Sequence, residues 1–499
     1  MPLIVSIPLM SRPIKKRLIA VMVTSTLALA STGCDTMRLQ STVELPDQFT
    51  AAEAVANEPE IAWWNSYGDV VLSELITRAA SENRDIRMAM ERVRAARAGV
   101  TISRAAMLPN VGAVASASDS GNGFNGTAKQ GAPEMQSLSG GLSVSWELDL
   151  TGRLRAGAAA AEADAQTSED QARAVRLLVL TDVASNYFRL TGAMRQLDTV
   201  RAIAATQEET LRLVTARHVA GLASPFDVER ARTEASRAQA SIPPLETLVA
   251  VSRHRLAVLM GLAPSATAEL TPTKMLVAVP EIQPGQPANL IERRPDLLAL
   301  KSQLEAANWR RQQASTEWFP RLFVNALFGH QSLEMNGLDL GSARFNNVAG
   351  LLSMPIFDWG RTSAINETAE SMQSEALLRY EDGIMRALED VENGLVALRD
   401  ERNRAQMLQS AAASAQAALG HAESLYERGQ IDLLPLLDSQ RARLAVQISA
   451  NDSQTQLLLN SVQLFKALGG GWQFFEPTSS SAVAPAISQT QTSTNEVSS

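Results

Sequence analysis

Between Arg153 and Val219 the chain runs 67 residues without a proline, and between Arg361 and Arg428 it runs 68. As α-helix, at 1.5 Å per residue, these stretches measure about 100 Å and about 102 Å. No compact globular domain needs that reach, so the chain is built around two rods.

The rods belong to an internal repeat. Asn83-Arg84-Asp85 opens a helical pattern that stops at Leu108-Pro109. Arg294-Pro295-Asp296 opens one that stops at Phe319-Pro320, 211 residues later. Further along, Asp149-Leu150-Thr151-Gly152-Arg153 matches Asp358-Trp359-Gly360-Arg361, and from Gly152-Arg153 onward the spacing is 208: Gly221 matches Gly429, and Met260-Gly261 matches Leu468-Gly469. One three-residue insertion between Pro109 and Arg153 accounts for the difference. Residues 84–261 and 295–469 therefore read as two copies of one unit, preceded by a segment 34–83 and joined by a proline-rich connector 262–294.

Each copy reads as helix, strand, strand, very long helix, turn, helix. The shorter stretches Asp85–Leu108 and Pro225–Met260 come together to 60 residues, about 90 Å end to end, so two short helices can flank one long one. Inside the rods an apolar residue recurs every seven positions: Val183, Leu190, Leu197, Ala204, Leu211. A shift of 208 gives Val391, Leu398, Ala405, Ala412, Leu419. That 3.5-residue period favours extended coiled packing, and the alanines permit close approach. An ordinary amphipathic core helix would explain the period but not the length.

Two candidate strands occupy the same slot in each copy: Val111–Ser118 with Leu138–Leu148, and Leu322–His330 with Val348–Phe357. Leu142, Val144, Trp146 and Leu148 share one face of the second strand, and Ser143, Ser145, Glu147 and Asp149 share the other. Segments of roughly ten residues with a period of two have the length and pattern of tilted transmembrane strands. Four strands cannot close a barrel, and an open sheet edge in hydrocarbon leaves backbone groups unpaired. Membrane spanning thus demands oligomerisation; two chains would give eight strands and three would give twelve.

Arg12, Lys15, Lys16 and Arg17 precede an uncharged, mostly apolar run Leu18–Ala30, and small residues then lead to Cys34. This is the order of a secretory signal over residues 1–33, and its 13-residue apolar run is too short to span a bilayer as a helix. The stretch before Ser11 fits that order less well, which points to Met10 as the start of translation. Cys34 is the one cysteine, and the four histidines are scattered, so no disulfide or cysteine-rich metal site forms within the chain. Without the signal's four bases, 41 basic residues face 53 acidic ones, a net charge of -12 that disfavours binding nucleic acid.

The chain resembles the TolC-like outer-membrane efflux proteins, in the lipoprotein branch that serves resistance-nodulation-division pumps. The resemblance rests on Trp63-Trp64, Asp85, Arg293-Arg294-Pro295-Asp296, Trp318-Phe319-Pro320, Phe357-Asp358-Trp359-Gly360-Arg361, Tyr426-Glu427-Arg428-Gly429 and Leu437-Asp438-Ser439-Gln440-Arg441, and it covers nearly all of residues 34–472. It implies a mostly α chain with four strands, three copies of which form a twelve-stranded barrel in the outer membrane and a twelve-helix tunnel across the periplasm. The implied partners are a periplasmic adaptor protein and an inner-membrane resistance-nodulation-division pump, with no cofactor. Cys34, at the end of Gly33-Cys34, resembles a lipoprotein acylation site, although Ser31 stands where such signals favour leucine.

At the periplasmic tip the resemblance assigns Leu434 and Asp438, one helical turn apart, to a constriction, with Arg441 as the charged partner of Asp438 and Tyr426 linking neighbouring helices. An exposed Asp438–Arg441 helix pair of structural value alone is the competing reading. The family's charged residue after the second tip glycine is replaced by Ile431. The two tip turns are Gly221-Leu222-Ala223-Ser224-Pro225 and Gly429-Gln430-Ile431-Asp432, where glycine ends the long helix and Ser224 or Asp432 can cap the next. These turns, through Gly221, Ser224, Pro225, Gly429 and Asp432, are the expected docking points for the adaptor.

Gly121-Asn122-Gly123-Phe124-Asn125-Gly126 fits the dinucleotide pattern G-x-G-x-x-G, but Pro133 and further glycines follow in place of a helix, so it reads as a hairpin loop. No nucleophile, base and orienter cluster by sequence, and the chain does not read as an enzyme. From Pro477 the composition turns to Ser, Thr, Ala and Gln, and residues 470–499 read as a largely disordered tail. The expected function is a passive exit channel of a tripartite efflux system for small molecules such as drugs. The alternatives are a channel for protein secretion or metal-ion efflux, and a lipid-anchored coiled-coil scaffold without a pore.

Overall fold

The computed structural model describes residues 38–50, 60–121, 134–267, 272 and 277–476. Cys34 with the signal 1–33, residues 122–126 of the glycine-rich loop, and the tail from Pro477 lie outside these. The chain is mostly helical, with one four-stranded antiparallel sheet in the order β1-β2-β3-β4. The elements are α1 (Val70–Glu82), α2 (Arg84–Ala105), β1 (Asn110–Ser120), β2 (Met135–Leu148), α3 (Arg153–Val219), α4 (Pro225–Ala240) and α5 (Ile242–Leu259). After the connector come α6 (Leu290–Arg293), α7 (Pro295–Ser315), β3 (Arg321–Met335), β4 (Leu338–Ser353), α8 (Arg361–Glu427) and α9 (Leu433–Ala467).

The two long helices, α3 and α8, are each 67 residues, so each spans about 100 Å. Both start after a left-handed glycine, Gly152 or Gly360, and an aspartate folds back over the exposed N–H groups there. Asp149 accepts from the N–H of Leu154 at 3.2 Å and of Arg155 at 3.0 Å. Asp358 accepts from the N–H of Thr362 at 2.8 Å and from its hydroxyl, and those bonds hold the Asp358 carboxyl below the usual carboxylate range. The shared Asp and Gly-Arg of the two copies are thus helix-start devices.

The seven-residue recurrence lies inward. Val183, Leu190, Leu197, Ala204, Val391, Leu398 and Leu419 are buried, and Leu211, Ala405 and Ala412 are half-buried. Helix α3 packs along α2, α4, α5, α7 and α9, and α8 packs along α7 and α9. The core is divided. One large cluster surrounds Leu180–Leu197 of α3 and contains Trp63, Trp64, Tyr67 and Phe465; a second surrounds Tyr380–Leu398 of α8; a third, smaller one sits at the far tip.

Three local expectations need correction. The stretch Pro225–Met260 is broken at Ser241 into α4 and α5, because Pro243 and Pro244 follow and cannot continue an incoming helix. Its counterpart α9 meets no proline at that point and is unbroken over 35 residues. The second hairpin is not Leu322–His330 with Val348–Phe357: its strands continue outward to Met335 and Leu338 and meet at Asn336-Gly337, both at positive φ, a two-residue hairpin turn. Strand β4 stops at Ser353, since Pro355 has no N–H for the ladder. Finally, residues 470–476 are not tail. Trp472 is buried and its indole N–H donates to the Arg293 carbonyl at 3.0 Å.

Candidate functional site

The sheet and the tip stand at opposite ends of the long helices. In the sheet, cross-strand register places Val111, Ala113, Leu142, Val144, Trp146, Leu322, Val324, Ala326, Phe328 and Leu352 on one face. The opposite face carries Ser139, Ser143, Ser145, Asn110, Asn325, Gln331 and Asn347, together with Phe323, Leu327, Phe345, Ala349 and Leu351. In the outer half of the sheet exposure alternates with the same period: Leu138, Gly140, Leu142, Phe328 and His330 are exposed, whereas Ser137, Ser139, Gly141, Gly329 and Gln331 are half-buried; toward the base, Ser145 and Asn325 are exposed while Val144, Trp146, Val324 and Ala326 are half-buried. In that outer half the sheet therefore curls around the face of Ser139 and Gln331 and turns the face of Leu142 and Phe328 outward. Gly141 and Gly329 oppose each other on the concave side, where a Cβ on Gly141 would stand 2.3 Å from the Phe328 carbonyl oxygen. Below the apolar face, Trp318, Phe319, Phe357 and Trp359 are exposed, as an aromatic girdle at an interface would be.

At the tip each long helix ends in the same device. Gly221 has φ +76° and Gly429 φ +70°. The N–H of Gly221 donates to the His218 carbonyl and that of Leu222 to the Arg217 carbonyl; the N–H of Gly429 donates to Tyr426 and that of Gln430 to Leu425. These paired bonds satisfy the last carbonyls of each helix. Ser224 then starts α4 with reciprocal bonds: its hydroxyl accepts from the Asp227 N–H at 3.1 Å, and the Asp227 carboxylate accepts from the Ser224 N–H at 3.1 Å, with Pro225 as the first helical residue. Asp432 stands at the start of α9 yet caps nothing with its side chain. Three residues on is Pro435, which has no N–H to offer.

The two turns meet over a cleft of about 510 Å³ lined by Arg217, Leu222, Asp227, Tyr426, Asp432 and Leu434 among others. Tyr426 is buried. The Arg217 guanidinium lies 4.3 Å from its ring centre and donates to its carbonyl at 3.1 Å, which fastens α3 to α8. Leu434 is 43% exposed, beside Leu433, which is buried. Asp438 is also exposed and pairs with Arg441 at 3.1 Å; Arg441 reaches on to Glu234 of α4 at 3.2 Å. Leu434, Asp438 and Arg441 thus come together, and Tyr426 lies behind them in the tip core. Arg217 and Glu234 are the functional candidates that sequence reasoning misses. Applied to Tyr426, the 208-residue offset lands on His218, the neighbour of Arg217, and that is the one local signal available.

Among the described residues no helix is long and apolar enough to cross a membrane, and no group of three or more His, Cys, Asp or Glu side chains is placed to hold a metal ion. A curled, outward-apolar sheet set on rods about 100 Å long is one stave of a tubular channel. The chain belongs to the outer membrane efflux protein family, whose profile matches residues 75–262 and 287–470. It is 33% identical to outer membrane protein OprJ of Pseudomonas aeruginosa, over 82% of this chain and 86% of that protein. It is 30% identical to the probable outer membrane lipoprotein SilC of Salmonella typhimurium, over 86% of this chain and 93% of SilC. The solved structure of the outer-membrane channel OprN superposes with a TM-score of 0.80 at 28% identity, over 87% of this chain and 98% of that one.

Proposed function

We propose that three copies of this chain form the outer-membrane exit duct of a tripartite efflux system. The duct passively conducts small molecules such as drugs from an inner-membrane resistance-nodulation-division pump and a periplasmic adaptor to the exterior. The observation that carries this reading is the sheet: β1 and β4 are open edges, the convex face is apolar, and both hairpins run directly into the long helices. Three such sheets supply twelve strands and leave no edge in lipid. A scaffold without a pore has no use for this sheet. The turns at Gly221, Ser224, Pro225, Gly429 and Asp432 are the adaptor-docking surface.

The gate is the Leu434–Asp438 face of α9. Three Asp438 carboxylates around one axis repel one another, and Arg441 with Glu234 holds each in place within its own protomer. Reconstituted into planar bilayers, the protein is expected to give discrete conductance steps, and Asp438→Ala to raise the conductance of each channel. No steps from the wild type would sink the duct; equal conductance for the variant would sink the gate.

Cys34 is the lipid anchor. Residues Leu39, Ser41, Val43 and Leu45 alternate half-buried along α7 and α8, rising from the Thr50 N–H bonded to Glu392 at 2.6 Å to Arg38 over the Trp309 ring at 4.3 Å. Trp309 lies roughly 20 Å below the base of β3, and the four residues back to Cys34 span at most about 14 Å, so acyl chains on that cysteine can reach the inner leaflet. Intact-mass measurement of the mature protein is expected to show acylation that Cys34→Ser removes; an unmodified wild-type mass would refute it.

A further inference from the structure

We propose that Arg344 and His330 form a seat for the phosphate of an anionic lipid headgroup on the outward face of the sheet, at the outer end of the apolar band. This rests on the channel reading above. Arg344 and His330 are direct cross-strand partners, and their row continues through Gly140 to Ala115, on the same convex face as Leu142 and Phe328. Both are exposed, and neither makes an ion pair or side-chain hydrogen bond with any described residue. Besides His330, the strands contain two arginines and no lysine. Arg321, at the base, is paired with Glu317; Arg344 is alone.

The height fits a headgroup. From the Leu352 row to Arg344 is eight residues, about 26 Å of strand, or about 20 Å above the base at a tilt near 40°. The extended side chain adds a few ångströms and so ends near the top of an apolar band about 25 Å tall. An arginine deeper in lipid would be costly, whereas at this level its planar fork matches a phosphate. The surroundings supply donors and room. Ser332 and Ser342 oppose each other in the next row outward, and the space over Gly140 is open. Beyond them the charge reverses, with Asp119, Glu334 and Asp339 sharing a row through Gln136. An anionic headgroup is thereby attracted at one level and repelled at the next, which fixes its height.

The test uses the full-length protein in nanodiscs of equal parts phosphatidylglycerol and phosphatidylcholine, followed by measurement of the lipids that stay bound on detergent exchange. Wild type is expected to retain phosphatidylglycerol about fivefold more selectively than Arg344→Gln, the size set by one arginine at a charged lipid surface. Adding His330→Gln should lower the selectivity further, and Arg344→Lys should restore part of it. Inorganic phosphate should not displace the lipid. Conducting trimers with no phosphatidylglycerol preference, or a preference abolished by inorganic phosphate, would overturn the seat alone. Absence of trimers in every sample would overturn the channel and the seat together.

Discussion

Val144→Arg is expected to prevent stable insertion, so that no heat-resistant oligomer is recovered from the membrane fraction. Val144 lies between Val111 and Ala326 on the convex face, four residues in from the Leu148 row. At about 3.3 Å per residue and a tilt near 40° that places it about 10 Å above the base, close to the midplane of the apolar band. An arginine facing lipid at that depth costs about 2–4 kcal/mol, and in a trimer the cost enters three times, about 6–12 kcal/mol in all. Domain-scale stabilities are of the same order, so assembly should fail outright. Its neighbour gives the control. Ser145 faces the concave side between Asn110 and Asn325, so Ser145→Arg should assemble normally and alter conductance or ion selectivity instead. Equal insertion of both variants would mean that the apolar face does not meet lipid, and the barrel reading would fail.

That contrast also explains what the sequence makes legible. Where one face of a strand meets an apolar phase and the other does not, the period of two is written into the residues, and Val144, Trp146 and Leu322 fall where the alternation places them. Above His330 the outward face turns polar, with Ser332 and Glu334, while Leu333 and Met335 put apolar side chains on the opposite face, so the outward apolar stripe that marks the strand stops and the hairpin continues to Asn336-Gly337, a turn signal that the sequence does contain. The long helices are legible for a different reason. Their boundaries are set by local chemistry: Gly152 and Gly360 at one end, Gly221 and Gly429 at the other. The connection between Arg217 and Tyr426 is not local at all. The two residues are 209 apart, each sits in an unremarkable helical stretch, and only packing brings the guanidinium over the ring. The same holds for Glu234 beside Arg441.

Trp63→Ala is expected to destabilise each protomer by about 3–5 kcal/mol while leaving the conductance of surviving channels unchanged. Trp63 is fully buried and stacks on Phe465 at 5.1 Å, with Trp64 and Tyr67 edge-on at 5.7 Å and 6.2 Å. Its indole N–H donates to the Gly470 carbonyl at 3.2 Å. Truncation therefore removes a large buried surface and strands an acceptor, whereas Trp63→Phe keeps much of the packing and should cost less. The second half of the expectation follows from where the core lies. The cluster grips α3 from Val179 to Leu197, near its midpoint, and the tip cluster begins again only at Val214. On α8 no residue between Leu398 and Leu419 is buried within the protomer, a gap of about 30 Å of helix. The midpoint clamp and the proposed gate are therefore distinct apolar clusters, bridged on the α3 side by Val200, Ile203 and Ala204 and by Thr210, whose hydroxyl accepts from Gln440 of α9 at 3.1 Å, and left unbridged on α8, so loosening one is not expected to open the other. Thermal melting of the purified oligomer, read beside single-channel recording, separates the two effects. A Trp63→Ala channel whose conductance rises as that of Asp438→Ala does would show that clamp and gate move as one unit.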